Sequence, residues 1–426
     1  MNRKFKREIK KDISLVNDLY NIIKKYLPRL FNLFDNLTDV RHQSYVTYDM
    51  KVICVTRLFA LLCGITTMNS LTDTFNSEQT IDNISKLCKS NLSDIPHYDT
   101  INDVFENINI DELRYIQKYI AYTIIRSKMF DKLRYNGKIQ VVVDGTSLVT
   151  FNYKHCNHCL VDTHSDGSIT YKHYVLEAKI IFGSFVLSID SEFIENPNHD
   201  VVKYKKQDCE TKAFKRLASR LKKNFPKLKF IITADGLYTS SPIIKICTDN
   251  NWDYIFRLKS EFPKTITQDF EGIIKCHNET NLKNFFLVKN YSYHKHTFNI
   301  VRLIEDNKYF TYITNLNIND QNISDIISLG RNRWKIENNG FNLQKNNTFD
   351  ITHMCSYNYN AMKAHYFFIQ FAHTIRQLLE LGHIPIQKLD YKIKEISLHL
   401  LFELISLNIN LTENLSFQLR FDTLII

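Results

Sequence analysis

The sequence is short of the residues that loosen a chain, with 10 glycines and 7 prolines among 426 residues. Extended disorder is therefore not expected, because 44% of the residues are hydrophobic and 13% aromatic, enough to fill packed cores. Long apolar runs are missing too. The longest, from Val52 to Ile65, is broken by Thr56 and Arg57 and is too short to cross a bilayer, so it reads as a buried helix and no membrane partner is expected. The basic start, MNRKFKREIKK, is not followed by the apolar segment that a secretion signal requires, which makes a cytoplasmic location the expectation. Nine cysteines at irregular spacing are unlike a disulfide framework and read as free thiols in a reducing compartment.

What is present is length and positive charge. At about 100–200 residues per domain, the chain predicts two or three domains. A formal net charge of +10 and a pI near 8.9 favour an anionic partner, nucleic acid first.

From Ile13 to about Phe130 the apolar residues recur at helical spacing, and Asp111 stands as a cap before Leu113, Ile116, Ile120 and Ile124. Residues 1–130 are therefore an all-helical N-terminal domain. Its short helices around Ser70–Phe75 and Thr100–Ile108 have the size of a helix-turn-helix DNA reader, and a bundle without DNA affinity has the same pattern.

The pattern changes after Gly137. Ile139 to Asp144 is a β-branched run ending in an acid, and Tyr174–Phe182 and Phe185–Ile189 are close enough to pair as a hairpin. Asp208–Asn224 is an amphipathic helix with Phe214, Leu217, Ala218 and Leu221 inward. Its Lys212, Lys215, Arg216, Arg220 and Lys223 face outward, as a phosphate-facing surface or a merely solvated one. A strand from Phe230 ends in Asp235, and a helix over Ser241–Asn250 with a strand at Trp252–Leu258 completes a parallel crossover. The expected division is a catalytic core over 131–260, a β-rich insertion over 261–315, the rest of the core over 316–383, and a helical tail over 384–426.

Two acids thus close buried strands, Asp144 and Asp235, where α/β sites form. Alone they could be acids at strand-to-turn junctions. A single helix predicted over Asp325–Gln344 adds Arg333 and Glu337 four residues apart and Gln344 seven further on, all on one face. An acid among cationic and polar groups suits a metal ligand beside a phosphate backbone, or an ordinary i,i+4 ion pair.

These segments resemble the DDE transposases of bacterial insertion sequences, in the group whose last motif reads Tyr-x2-Arg-x3-Glu-x6-Lys. Val-Val-Val-Asp144-Gly-Thr is similar to the family's first-acid segment, Thr-Ala-Asp235-Gly-Leu-Tyr to its second, and Arg333-x3-Glu337 to the core of its third. His97-Tyr-Asp-Thr-Ile and Lys206-Gln-Asp-Cys-Glu210 extend the resemblance over nearly the whole chain. The chain departs at Gly330, where the motif has Tyr, and at Gln344, where it has Lys; Lys345 follows one residue later, about 100° round an α-helix.

The resemblance implies an α/β fold, an RNase H-like mixed-sheet catalytic core with a β-rich insertion, preceded by the helical domain. It implies that Asp144, Asp235 and Glu337 hold two Mg2+ or Mn2+ ions for cleavage of double-stranded transposon ends and strand transfer into target DNA. It further implies DNA contacts by Arg333, Lys345, Trp334, Gln344 and Arg331, a homodimer on DNA, and a nucleoid-associated bacterial protein. Arg333 would grip phosphate in bidentate fashion, while Trp334 is open to stacking on a base or, preferably, filling the core. A domesticated or inactive relative, acting as a nuclease or DNA-binding regulator, remains the alternative.

Cys156 and Cys159, with His155 and His158 beside them, fit a structural zinc site stapling the loop after the first strand, or else are free thiols in a loop. His164, His173 and Cys209 lie further on. Glu210 reads as an auxiliary ligand or, preferably, as support for a lysine on its own helix.

Overall fold

A computed structural model of the chain describes residues 13–196, 207–259, 264–276, 284–306, 308–389, 391–414 and 416–421. Contacts divide the chain into two units, one running to Lys132 and resuming at Gly340, the other comprising Leu133–Asn339.

The first unit is helical. It comprises α1 (Leu15–Tyr26), α2 (Leu30–Asp35), α3 (Met50–Leu62), α4 (Met68–Thr74), α5 (Glu78–Cys88), α6 (Tyr98–Asn107) and α7 (Ile110–Arg126). Caps set several starts: Ser14, Thr67, Ser77 and Asn109 each accept a backbone N–H of the following turn. Asn109, two residues before the expected Asp111, is the cap of α7 because its side chain reaches the Asp111 N–H. The amphipathic helices bury one stripe, whereas α3 is apolar enough to be buried nearly all round, Thr56 and Arg57 included.

In the second unit a nine-stranded sheet is built from β1 (Ile139–Phe151), β2 (Leu160–Thr163), β3 (Ile169–Phe182), β4 (Phe185–Ile194), β5 (Phe230–Ala234), β6 (Asp253–Leu258), β7 (Phe285–Tyr293), β8 (His296–Glu305) and β9 (Lys308–Thr314). The order is β2-β3-β1-β5-β6-β9-β8-β7, with β4 also on β3. The strands β1, β5 and β6 are parallel and the other pairings antiparallel. Helices α8 (Glu210–Asn224) and α9 (Ser241–Asp249) make the connections into β5 and β6, the mixed α/β arrangement expected of the catalytic core. Helix α11 (Ile323–Arg331) covers the far half of the sheet, where Ile323, Ile326 and Ile327 join Ile231, Ile255, Val301 and Tyr312 in one buried cluster.

Three expectations change. Strand β1 does not stop at Asp144, because antiparallel pairing with β3 carries it on to Phe151. The segment after β6 opens with helix α10 (Lys264–Cys276), where buried Ile266 and Phe270 at i,i+4 spacing outweigh the β-branched residues around them, and β7–β9 then extend the same sheet. The helix expected over 325–344 is broken: α11 ends at Arg331, a π-helical turn covers Ile336–Phe341, and α12 covers Asn342–Asn346.

The chain from Gly340 rejoins the helical unit, with α13 (Tyr359–Gly382), α14 (Ile384–Leu389) and α15 (Ile393–Ser406). Helix α13 was expected in the catalytic core. Its apolar residues surround the helix, so it needs partners on several sides, and α3, α6 and α7 supply them.

Candidate active site

Register brings the first two acids together. Val142 pairs with Thr233 at the last parallel rung between β1 and β5, so Asp144 and Asp235, each two residues further on, stand together where the parallel pairing ends, Asp144 still paired to β3 and Asp235 just past β5. The spacing of the two acids in the chain equals the register offset of the two strands.

Each acid is fixed by its own Asp-Gly step. Asp144 Oδ1 accepts the Gly145 N–H at 2.9 Å, and Asp235 Oδ1 accepts the Gly236 N–H at 2.7 Å. A Cβ at Gly145 would fall 2.4 Å from the Tyr174 ring, so the close approach of that ring requires glycine.

The third acid arrives through an arginine. Arg333 Nη1 donates to Glu337 Oε1 at 2.6 Å and to Asp144 Oδ2 at 3.1 Å, bridging the first and third acids. Its side chain is 10% exposed, and its Nε is buried without a hydrogen-bond partner among the described residues. Asp235 Oδ2 pairs with Lys259 Nζ at 2.5 Å. A fourth carboxylate, Glu210, accepts the hydroxyls of Tyr174 and Tyr238, both at 3.2 Å.

The electrostatics describe a crowded anionic site. Burial, reinforced by Glu337 and Glu210 and opposed by Arg333, pushes the Asp144 carboxyl up to about 6. Glu210 is also raised, first by burial. Burial acts on Asp235 in the same direction, but Lys259, the Gly236 N–H and Arg333 hold it below its ordinary value. Four carboxylates facing two cations leave a net negative charge, and a set of carboxylate oxygens is what hard divalent ions take.

The other expected site residues scatter. Arg331 pairs with Glu305 and lies over the Phe310 ring at 4.5 Å. Trp334 is 48% exposed, which corrects its preferred role as a core residue. Gln344 is fully buried and bonds to Gln370 and His373, so it is not on the face expected for DNA contact; the π-helical turn before it breaks the seven-residue repeat. Lys345 is partly buried, which lowers its pKa. On α8, Arg216 pairs with Glu192 and Asp208, and Arg220 with Asp190 and Glu192, so these arginines are tied to acids rather than presented to phosphate. Near α4 and α6 a cleft is lined by Asp99, Asp103 and Glu106, three acids that repel phosphate where a helix-turn-helix reader was considered.

Of the cysteine cluster, His155, Cys156 and Cys159 come together with His173, not with the expected His158. His158 turns its Nδ1 to the Asn196 carbonyl at 3.1 Å instead. Cys209 contacts the Thr211 hydroxyl, outside the cluster. Sequence reasoning missed Lys259, for which no local signal exists, and misread Glu210: its segment was legible, but its partners are two tyrosines rather than a lysine.

Comparison with known proteins gives two family matches in chain order. Residues 31–119 match a region described as DDE_Tnp_1-associated, and residues 187–375 match one described as Transposase DDE domain. Together they span more than half of the chain, the second including Asp235 and Glu337. No curated protein matches. Among solved structures, the cryo-EM structure of a piggyBac transposase synaptic complex with hairpin DNA is 12% identical, covers 91% of this chain and 80% of that one, and has a TM-score of 0.46.

Proposed function

Because the chain belongs to the DDE transposases, enzymes of DNA transposition that use divalent metals, we propose that Asp144, Asp235 and Glu337 are its catalytic acids and hold Mg2+ or Mn2+ ions. The observation that carries this reading is the Arg333 bridge between Asp144 and Glu337, a buried cation placed between two of the three acids. When bound, the ions would activate a water or 3′-hydroxyl nucleophile and stabilise the leaving 3′-oxygen.

The chain's own groups do the rest. Arg333 offsets the acids in the metal-free protein, and its planar fork suits a phosphate once their charge is otherwise met. Trp334, its neighbour, is exposed and would stack on a base. Lys259 pairs with Asp235 and would meet phosphate beside it. Lys345 overshoots the family spacing from Glu337 by one residue, and a π turn takes up one residue more than an α turn, so helical phase supports the family's lysine role for Lys345. The substrates are double-stranded transposon ends and target DNA, the reaction is end cleavage followed by strand transfer, and the working form is a dimer on DNA. Within this reading residues 1–130 serve end binding.

The test is a cleavage assay on the DNA flanking the gene, with Mg2+, Mn2+ or EDTA, comparing the native chain with Asp144→Asn, Asp235→Asn and Glu337→Gln. The expected result is metal-dependent nicking by the native chain only, with DNA binding retained by all four. Cleavage retained in the three variants would remove the assignment, and binding without cleavage by the native chain would point to a regulator.

A further inference from the structure

We propose that His155, Cys156, Cys159 and His173 hold one Zn2+ ion in a closed tetrahedral site, separate from the carboxylate cluster. One ligand atom from each residue lies within 4.8 Å of all the others. The finer distances are more specific. Cys156 Sγ and Cys159 Sγ are 3.7 Å apart, and each lies 3.6 Å from His173 Nε2. Zinc bonds of about 2.3 Å to sulfur and about 2.0–2.1 Å to nitrogen, at tetrahedral angles, require S···S edges of about 3.8 Å and S···N edges of about 3.6 Å. Three edges of the donor set therefore already have the length that one zinc ion imposes. A disulfide does not account for the pair, since sulfurs bonded to each other stand about 2.05 Å apart.

The surroundings hold the donors in place. Asn196, 1% exposed, donates from Nδ2 to the Cys159 carbonyl at 2.8 Å and from its backbone N–H to the His158 carbonyl at 3.1 Å, bracing the Cys-x2-Cys turn. Phe151, the last residue of β1, stacks on the His155 ring at 4.4 Å and meets the His173 ring edge-on at 6.1 Å, walling one side with hydrocarbon. A donor set of two sulfurs and two imidazole nitrogens, half of it buried, is the chemistry of a structural zinc ion with no open position.

The location gives the ion a task. His155 and Cys156 lie in the loop after β1, Cys159 immediately precedes β2, and His173 is on β3, the strand paired with both. The ion would tie three strands together where β1 and β3 slip register between Ser147 and Thr150. Tyr174, next to His173, donates to Glu210 beside Asp144, so the clip steadies the wall of the acidic site without entering it.

The test needs no DNA cleavage, so its result is independent of the catalytic assignment. Full-length protein, purified without a metal-affinity tag, is analysed for bound metal by mass spectrometry, alongside Cys159→Ser and Asp144→Asn. About one zinc per chain is expected in the native protein and Asp144→Asn, with a drop of about tenfold in Cys159→Ser. Thiol counting on the native chain guards against a variant that fails to fold: two further cysteines should become reactive when a strong chelator strips the zinc. Substituted Co2+ should show the intense visible bands of a tetrahedral thiolate site. Zinc absent from the native protein, unchanged in Cys159→Ser, or removable without exposing thiols would overturn the proposal.

Discussion

Asp144 is a carboxylate that the fold holds against its preference. Its pKa lies near 6 because burial, first, and then Glu337 and Glu210 disfavour the charge more than Arg333 favours it. The folded chain therefore binds this proton more tightly than the unfolded chain, whose ordinary value is 3.8. The favourable contribution is present below about pH 4 and is lost as pH rises towards 6, above which the ionised group is a constant penalty. Asp144→Asn should accordingly stabilise the metal-free protein at pH 7.5 by about 1–3 kcal/mol, with little gain at pH 4. Thermal unfolding in EDTA at the two pH values checks this, and equal destabilisation at both would contradict it. Metal-dependent activity should fall below pH 6 for the same reason, since a protonated carboxyl is a poor ligand.

At the scale of elements, the helix α11 shows why residue 330 is glycine rather than the tyrosine of the motif that the sequence resembles. A Cβ on Gly330 would stand 2.6 Å from the Tyr312 ring, which β9 packs against it and which is 1% exposed. Gly330→Tyr should thus lower stability by about 2 kcal/mol or more, because the space is already filled by Tyr312 from β9; a chemical denaturation curve would read it. The same contrast explains what was legible in the sequence. The strands carrying Asp144 and Asp235 declared themselves through β-branched runs, and their alignment followed because the two runs are paired in parallel. Arg333 and Glu337 were legible as an i,i+4 pair. The π turn was not, since nothing in Ile336–Phe341 marks an extra residue in a turn, and so Gln344 was placed on the wrong face. Lys259 and His173 reach their partners across strands, and spacing along the chain does not encode such neighbours. His158 was chosen over His173 because it is near in sequence, while the sheet register puts the distant histidine against the thiols.

For the whole molecule, the decisive feature is that the helical unit is assembled from both ends of the chain. Glu403, on α15 and 2% exposed, accepts the N–H groups of Leu15 and Val16 at 2.8 and 2.9 Å and the Ser14 hydroxyl at 3.1 Å, closing the start of α1 from 388 residues away. Glu403→Ala would strip two buried amides of their acceptor and the helix dipole of its anion. A loss of about 2–4 kcal/mol is expected in urea unfolding of the full chain, against less than about 1 kcal/mol for Lys394→Ala at an exposed position of the same helix.

This arrangement also orders events during synthesis. The Leu133–Asn339 unit is contiguous and has all its strands once its last residue leaves the ribosome, whereas α1 must wait for Glu403. At about 5–20 residues per second, those 388 residues take roughly 20–80 s to make. The unit bearing Asp144, Asp235 and Glu337 is thus complete in sequence before Glu403 is made, and α1 gains its acceptor only once residue 403 has been translated. A chain stopped before Glu403 would carry the acidic site with the amides of Leu15 and Val16 lacking their acceptor, so translation past residue 403 gates the closing of α1.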